Sequence, residues 1–307
     1  MMCAMLNASF MFSLSGLEDT MNQRLPLFFL SLLCYFVILL VNIALILTII
    51  VDKHLHEPMY IFLCNLCING LYGTAGFYPK FFFDLLSSTH LISYSECLVQ
   101  VFVIYSYAAG DFSILALMAY DRHVAICRPL EYLSIMTKER VAFLVCMSWV
   151  VPLCLEVVVI LMTLMLELCG SHIDKPYCAN WSIVKLSCTS TTTNNIVGFI
   201  TILFYFCHYV FIICTYVTLV KTCLRSTEGK KKLMQTCLPH LLCLQNVSIA
   251  LLFDLLYTRY GTQSVPQNLR SFMAVQFLAF PPILNPLIYG LNLSKVRNRL
   301  GGFLKTK

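Results

Sequence analysis

The sequence predicts an all-α membrane protein, a seven-transmembrane helix bundle followed by a short amphipathic cytoplasmic helix. Three observations support this prediction. Hydrophobic residues make up 59% of the 307 residues and charged residues only 12%, whereas a soluble domain has roughly 25% charged residues. Seven apolar stretches are each long enough to cross a bilayer, which takes about 20 residues. The Lys and Arg residues lie mainly in the loops of one side.

The predicted spans divide the chain into a bundle with two short tails. A tail of residues 1–24 precedes the bundle of residues 25–291, and a tail of residues 292–307 follows it. Basic and apolar residues alternate in the second tail, as in a helix that lies on a membrane surface. The spans are placed at about 25–51, 58–86, 95–127, 140–166, 196–222, 231–257 and 268–291.

The distribution of basic residues predicts the orientation of the bundle. Fifteen of the twenty-one Lys and Arg residues lie in the loops and tail of one side. Because basic residues accumulate in cytoplasmic loops, this side is predicted to be cytoplasmic and the amino terminus extracellular. The net charge of +6 then reflects topology and contact with membrane lipids. It does not indicate nucleic-acid binding.

Two covalent features are predicted on the outer side. Asn7 begins an Asn-Ala-Ser glycosylation motif. Four of the sixteen cysteines are predicted to lie on this side, namely Cys97, Cys169, Cys178 and Cys188. Four cysteines in oxidising surroundings suggest two disulfide bonds, for which three connectivities exist. The residues alone do not choose among the three.

Polar residues within the spans suggest a mechanism. Arg122 at the inner end of the third span can pair with Asp121 in one state and with other groups when helices separate. Pro286, after Asn285 in the seventh span, frees one backbone carbonyl that polar neighbours can satisfy. Asp111 lies about three turns before Arg122. At that depth its carboxyl group must be neutral, paired or bound to a cation.

Five segments together resemble the rhodopsin-like G-protein-coupled receptors and, among them, the odorant receptors. The resemblance covers nearly the whole chain from the first span onward, and His123 stands where tyrosine is usual in that family. The segments are Pro-Met-Tyr-Ile-Phe-Leu at 58–63, Met-Ala-Tyr-Asp-Arg-His-Val-Ala-Ile-Cys at 118–127, Thr-Tyr at 215–216, Thr-Cys-Leu-Pro-His-Leu at 236–241 and Pro-Ile-Leu-Asn-Pro-Leu-Ile-Tyr-Gly at 282–290.

The resemblance implies a receptor in the plasma membrane of olfactory sensory neurons. It implies that small odorants bind in the outer half of the bundle and that a stimulatory heterotrimeric G protein of the olfactory type then raises cyclic AMP. It also implies the disulfide pairs Cys97–Cys178 and Cys169–Cys188. Coupling and activation are assigned by resemblance to Asp121, Arg122, His123, Tyr216, Lys232, His240, Asn285, Pro286 and Tyr289.

Ligand contacts are expected on the outer halves of the helices. Ile104 occupies the position where amine receptors carry an acid, which disfavours amine binding of that type. Glu156, His208 and Asp254 are polar residues of the spans for which packed, hydrogen-bonded roles are expected. The candidate ligand-binding residues are Val101, Phe102, Ile104, Tyr105, Ala108, Ala109, Ser248, Leu251, Leu252, Leu255, Val275 and Leu278.

The family's sodium pocket is only partly represented. Asp111 and Asn285 could hold the ion, but Gly70 stands where the second helix of the family carries an acid. A protonated or hydrogen-bonded Asp111 is the alternative. Apart from this ion, no cofactor is expected.

The residues of the spans also bear on several alternative functions. A visual pigment would need a lysine in the seventh span, and residues 271–292 contain none. An intramembrane aspartyl protease needs two converging carboxylates, whereas Asp111 and Asp121 lie on one helix about 15 Å apart. The chain is therefore not expected to be an enzyme. Two alternatives stay open: a receptor of the same fold for a non-odorant ligand such as a lipid or peptide, and a receptor-like membrane protein that does not signal.

Overall fold

Long helices form most of the described chain. The computed structural model describes residues 10–15, 24–223, 241–249, 251, 255, 259 and 267–292. Where both ends of a predicted span are described, they lie within four residues of the predicted ones. Most of the sixth span lies outside the described residues, as do residues 293–307 with their predicted amphipathic helix. We label seven helical segments α1 to α7: Arg24–Val51, Pro58–Leu86, Tyr94–Cys127, Lys138–Leu164, Thr192–Cys223, residues 241–249 and Gln267–Asn292.

Helix α3 lies at the centre of the bundle. Among the described helices, α1, α3, α4 and α5 are long and apolar enough to cross a membrane. The most apolar window of α3 is 83% buried, against 28%, 22% and 11% for α1, α4 and α5. The three outer helices therefore expose mainly apolar side chains, which suits contact with lipid.

Capping residues fix where the helices begin. Ser93 precedes α3, and its hydroxyl accepts a hydrogen bond from the backbone N–H of Glu96 at 3.3 Å. The Glu96 carboxylate in turn accepts from the backbone N–H of Ser93 at 3.1 Å. This reciprocal pair satisfies two N–H groups that a helix start leaves open. Thr137 caps α4 through the N–H of Arg140, and Pro58 opens α2 at a position where no N–H is needed.

Small residues let α2 and α3 approach closely. A Cβ at Gly73 would collide with the ring of Tyr107, so only glycine fits there. The same contact brings Asn69 of α2 to α3, where its side-chain amide donates to the backbone oxygen of Tyr107 at 2.8 Å and to Asp111 at 2.9 Å. The close packing therefore carries a polar link across the centre of the bundle.

A three-stranded sheet, which the all-α prediction did not include, covers one end of the bundle. Its strands are β1 (Met11–Leu14), β2 (Leu91–Ser93) and β3 (His172–Ile173), in the order β2-β1-β3. β1 pairs antiparallel with β2 and parallel with β3. Part of the predicted tail of residues 1–24 is thus fixed to two loops. We call this the outer end, and the end that carries Asp121 the inner end.

The proline in α7 has a specific partner on α1. Pro286 has no N–H, so the backbone oxygen of Pro282, one turn earlier, cannot receive its usual helical hydrogen bond. The side-chain amide of Asn42 donates to this oxygen at 2.8 Å. Asn42 is 1% exposed, so water does not replace it. The interrupted backbone of α7 is therefore satisfied by α1.

We expect Asn42→Leu to lower the free energy of unfolding of the purified protein by about 1–2 kcal/mol, because the buried carbonyl of Pro282 loses its donor. Pro286→Ala supplies the matched background, since an alanine N–H can donate to that carbonyl. In this background the loss caused by Asn42→Leu should shrink. Unfolding measured in detergent tests the difference, and equal losses in both backgrounds would contradict the assigned contact.

Candidate functional site

The long outer loop is tied to the top of α3. Cys97 of α3 is bonded to Cys178 of the loop, with their Cα atoms 5.4 Å apart. The backbone N–H of Cys178 also donates to the side-chain oxygen of Gln100 at 2.8 Å, and the Gln100 amide donates to the backbone oxygen of Gly76 at 3.3 Å. A second disulfide, Cys169–Cys188, closes the loop on itself. Both pairs are those expected from the family resemblance.

A cavity lies beneath this loop, between α3, α4 and α5. Its volume is about 50 Å³, below the roughly 300–1,000 Å³ of pockets for drug-sized ligands. A ligand must therefore be small, or the helices must move apart to admit it. The described residues that line the cavity are Tyr105, Glu156, Val159, Asn180, Trp181, Gly198, Thr201, Ile202, Tyr205, Leu255 and Arg259.

Among the described residues that line the cavity, one side chain is acidic and one is basic. Glu156 is 1% exposed, and its Oε1 has no hydrogen-bond partner among the described residues. The Arg259 guanidinium lies 4.4 Å from the centroid of the Trp181 ring and donates to the side-chain oxygen of Asn195 at 3.4 Å. This arrangement holds the guanidinium at the wall formed by the loop and α5.

Two of the predicted ligand residues line this cavity, Tyr105 and Leu255. The others with described side chains do not; most are packed in the core, and Leu252 lies outside the described residues. The sequence prediction placed no ligand contact on α4, although Glu156, the one acid within the fourth span, was a signal. The candidates that do not line the cavity are Val101, Phe102, Ile104, Ala108, Ala109, Ser248, Leu251, Val275 and Leu278.

The inner end of α3 holds a closed ion pair. The Arg122 Nε donates to Asp121 at 3.0 Å, and its Nη2 contacts the same carboxylate oxygen. The other oxygen of Asp121 accepts from the Tyr132 hydroxyl at 2.7 Å. Tyr132 begins a short helix, Tyr132–Ile135, in the inner loop before α4. Burial and then the negative charge of Asp121 raise the pKa of Tyr132, so its hydroxyl stays protonated and able to donate.

Removing the Tyr132 hydroxyl should weaken the ion pair between Asp121 and Arg122. We expect Tyr132→Phe to raise ligand-independent cyclic AMP in cells by a few-fold, because Asp121 loses one of its two partners and the closed state is less stable. Tyr120→Phe is the matched control, since the Tyr120 hydroxyl contacts Arg140 and not Asp121. An unchanged basal signal in Tyr132→Phe, at equal surface level, would contradict the role of this bond.

Asp111 on α3 and Asn285 on α7 both carry buried side-chain oxygens. One carboxyl oxygen of Asp111 accepts from Asn69, while Oδ2 has no partner among the described residues. Asn285 is also buried, and its side-chain oxygen is likewise unpartnered there. Gly70 contributes no side-chain oxygen and packs toward Pro282 and Asn42. No group of three or more His, Cys, Asp and Glu side chains suited to a metal ion occurs in the described part of the chain.

The remaining predicted switch residues that the structure describes are buried or half-buried. Tyr216 and Tyr289 are both buried in the core, and Pro286 is buried within α7. His123 is half-buried beside Arg122, with its Nδ1 unpartnered among the described residues. His208, one of the polar residues within the predicted spans, forms a hydrogen bond with the backbone oxygen of Phe204 at 2.9 Å. Predictions for Asn7, Lys232, His240 and Asp254 fall outside the described residues.

The structure is that of a multi-pass helical membrane protein. It has a cavity covered by a loop at the outer end and the Asp121–Arg122 ion pair at the inner end. A family model described as olfactory receptor matches residues 30–307. The chain belongs to the olfactory receptor family, a class of receptors rather than enzymes. The predicted family, helical membrane fold and receptor function are thereby confirmed.

Curated relatives agree over almost the full length. The chain is 32% identical to olfactory receptor 1D2 of Gorilla gorilla gorilla over 303 residues, which cover 96% of this chain and 95% of that protein. It is 31% identical to olfactory receptor 4E1 of Homo sapiens over 96% of this chain and 93% of the relative. For olfactory receptor 1M1 of Homo sapiens the identity is 33%, covering 96% and 95%.

Proposed function

We propose that this receptor binds small odorants in the cavity beneath the long outer loop and activates a stimulatory G protein at its inner end. The observation that carries the proposal is the position of α3. Its outer end forms a wall of the cavity through Tyr105 and is bonded to the loop through Cys97. Its inner end holds Arg122. One buried helix thus connects the ligand site with the coupling site.

The proposed mechanism is a shift between two states. In the structure Arg122 is held by Asp121, which is also held by Tyr132. A ligand activates the receptor only if it binds the state with a released Arg122 more tightly than the closed one. The small cavity favours compact ligands that fit between α3, α4 and α5, and opening of the inner end would expose Arg122 to the G protein.

A cell assay tests this proposal. The chain is expressed with an olfactory-type stimulatory G protein, surface level is measured by antibody, and cyclic AMP is recorded against a panel of small odorants. We expect at least one compound to raise cyclic AMP, and a Tyr105→Ala variant at equal surface level to lose sensitivity to it. A panel-wide absence of responses from a surface-expressed receptor would favour a receptor-like protein that does not signal, while responses only to peptides or lipids would favour a non-odorant receptor.

The proposal includes a sodium ion at Asp111 and Asn285. Each carries a buried oxygen without a hydrogen bond to the described residues; a cation could satisfy these oxygens, and Asp111 would supply the negative charge that the ion needs. We expect sodium chloride to raise the unfolding temperature of the purified receptor more than choline chloride at equal ionic strength, and Asp111→Asn to remove the difference. Equal effects of the two salts on the wild type would instead assign a protonated Asp111.

A further inference from the structure

Glu156 is the one acidic side chain among the described residues of the cavity wall. Burying an ionised carboxylate there is energetically unfavourable. Glu156 is 1% exposed and has no ion-pair partner in the described chain. A buried carboxylate without a counter-charge is strongly unfavourable at membrane depth. We therefore expect the Glu156 carboxyl group to be protonated before a ligand binds. A protonated carboxyl group offers one acceptor oxygen and one donor O–H.

The other polar groups of the cavity are mostly satisfied within the protein. The Tyr205 hydroxyl donates to the backbone oxygen of Tyr105 at 3.2 Å. The Thr201 hydroxyl donates to the backbone oxygen of Val197 at 3.1 Å. Oε1 of Glu156 and the indole Nε1 of Trp181 have no partner among the described residues. Among the described residues, the cavity wall thus leaves open an acceptor at Glu156 and a donor at Trp181, and a hydroxyl group is able both to donate and to accept.

The charge of the cavity separates an alcohol from other polar ligands. Arg259 lies in the same wall, so an ammonium group would meet a second cation, and its repulsion disfavours binding. An ionised carboxylate group would lose its hydration in this cavity, and the one described cation of its wall, Arg259, is already held by Asn195 and Trp181. A neutral hydroxyl avoids both conflicts. The rest of such a ligand would pack against apolar side chains such as Val159, Ile202 and Leu255.

We propose that Glu156 is the polar anchor of the odorant cavity and that its preferred ligands are small neutral aliphatic alcohols. The ligand hydroxyl donates to Oε1 of Glu156 and accepts from a cavity donor, while the alkyl chain fills the apolar part of the cavity. The inference rests on the proposed function of this cavity as the ligand site. It adds α4 to the helices expected from the sequence to contact the ligand, and it names the chemical class of the ligand.

Hexanol and its isomer methyl pentyl ether provide matched probes, because they have the same atoms and differ in the hydroxyl donor. In the cyclic AMP assay we expect hexanol to act at concentrations about tenfold below the ether, as the loss of a buried hydrogen bond predicts. Glu156→Leu should abolish this preference. Glu156→Gln, whose amide both donates and accepts, should keep most of it. Glu139→Gln, an exposed acid at the inner end of the same helix, should behave as wild type.

An infrared measurement on purified receptor tests the same contact without signalling. The C=O band of protonated Glu156 is assigned by its loss in Glu156→Gln. We expect hexanol to shift this band and the ether to shift it less. Absence of the band, an equal shift by both probes, or an alcohol preference that survives Glu156→Leu would overturn the proposal.

The two measurements separate this inference from the proposed function. A hexanol-dependent band shift in a surface-expressed receptor that raises no cyclic AMP would keep the Glu156 site and overturn the signalling role. Cyclic AMP responses that are equal in wild type and Glu156→Leu for hexanol and ether would keep the odorant receptor and overturn the Glu156 site.

Discussion

Replacing Arg122 by glutamine should abolish the ligand-induced rise in cyclic AMP while leaving the receptor at the cell surface. Arg122 is held by Asp121 through two contacts to one carboxylate oxygen, and it is the cation that opening of the inner end would release. Glutamine keeps a hydrogen-bonding side chain but has no charge. The closed state therefore loses its ion pair, and the open state loses the charged group that would meet the G protein.

The control for this experiment is Arg140→Gln. Arg140 also lies at the inner end, where it donates to the Tyr120 hydroxyl at 3.3 Å, but it has no contact with Asp121 in the described chain. We expect this variant to keep its cyclic AMP response. A full response from Arg122→Gln at equal surface level would contradict the role assigned to Arg122. A loss in both variants would show that the assay reports the total basic charge of the inner face.

Replacing Cys97 by serine should remove nearly all receptor from the cell surface. Cys97 and Cys178 are both buried and are separated by 81 residues. Closing a loop of that length lowers the entropy of the unfolded chain by an amount worth about 4.5 kcal/mol. That is a large fraction of the roughly 5–15 kcal/mol by which proteins are stable. The hydrogen bond from the backbone N–H of Cys178 to the side-chain oxygen of Gln100 would also lose its fixed geometry.

Other cysteines supply graded controls for this prediction. Cys169→Ser opens a loop of only 19 residues, which corresponds to about 3 kcal/mol, so its surface level should fall less. Cys154 is free and exposed on α4, and Cys154→Ser should change nothing. The double variant Cys97→Ser/Cys178→Ser should be no worse than either single one. Normal surface level in Cys97→Ser would contradict the importance of this bond.

The sequence predicted the helices of the bundle well because a helix that crosses the membrane needs about 20 consecutive apolar residues. For the six spans with both ends described, the predicted ends lie within four residues of the helix ends. The Asp121–Arg122 pair forms as its position suggested. The residues alone left three disulfide connectivities open, and the family resemblance supplied the pairs that the structure contains. Pairing between distant cysteines depends on tertiary structure, which local sequence patterns do not specify.

The residues that line the outer cavity were harder to predict because α3 is buried on nearly all sides. Helical spacing identifies residues on one face, but apolar residues on α3 can face a cavity or a neighbouring helix with the same pattern. In the structure Val101 and Ala108 lie in the core, while Tyr105 lines the cavity; whether any of them contacts a ligand stays a prediction. A single acid within a span, such as Glu156, has the same sequence pattern whether it is packed or faces a ligand.

The strand at residues 11–14 was missed for a different reason. Met11–Leu14 has only four residues, too few for a reliable alternation of polar and apolar side chains. Its partners lie about 80 and 160 positions away along the chain. Such pairing is set by the arrangement of the helices that carry the outer loops. The sequence of the tail therefore does not indicate which strands it pairs with.

The most direct test of the account is nucleotide exchange on a purified stimulatory G protein, catalysed by the purified receptor in lipid nanodiscs. An odorant that is active in cells should accelerate GTP uptake with the wild-type receptor, and Arg122→Gln should remove the acceleration although the odorant still binds. Odorant binding without any acceleration by the wild-type receptor, or acceleration that persists in Arg122→Gln, would contradict the proposed connection between the outer cavity and the inner end of α3.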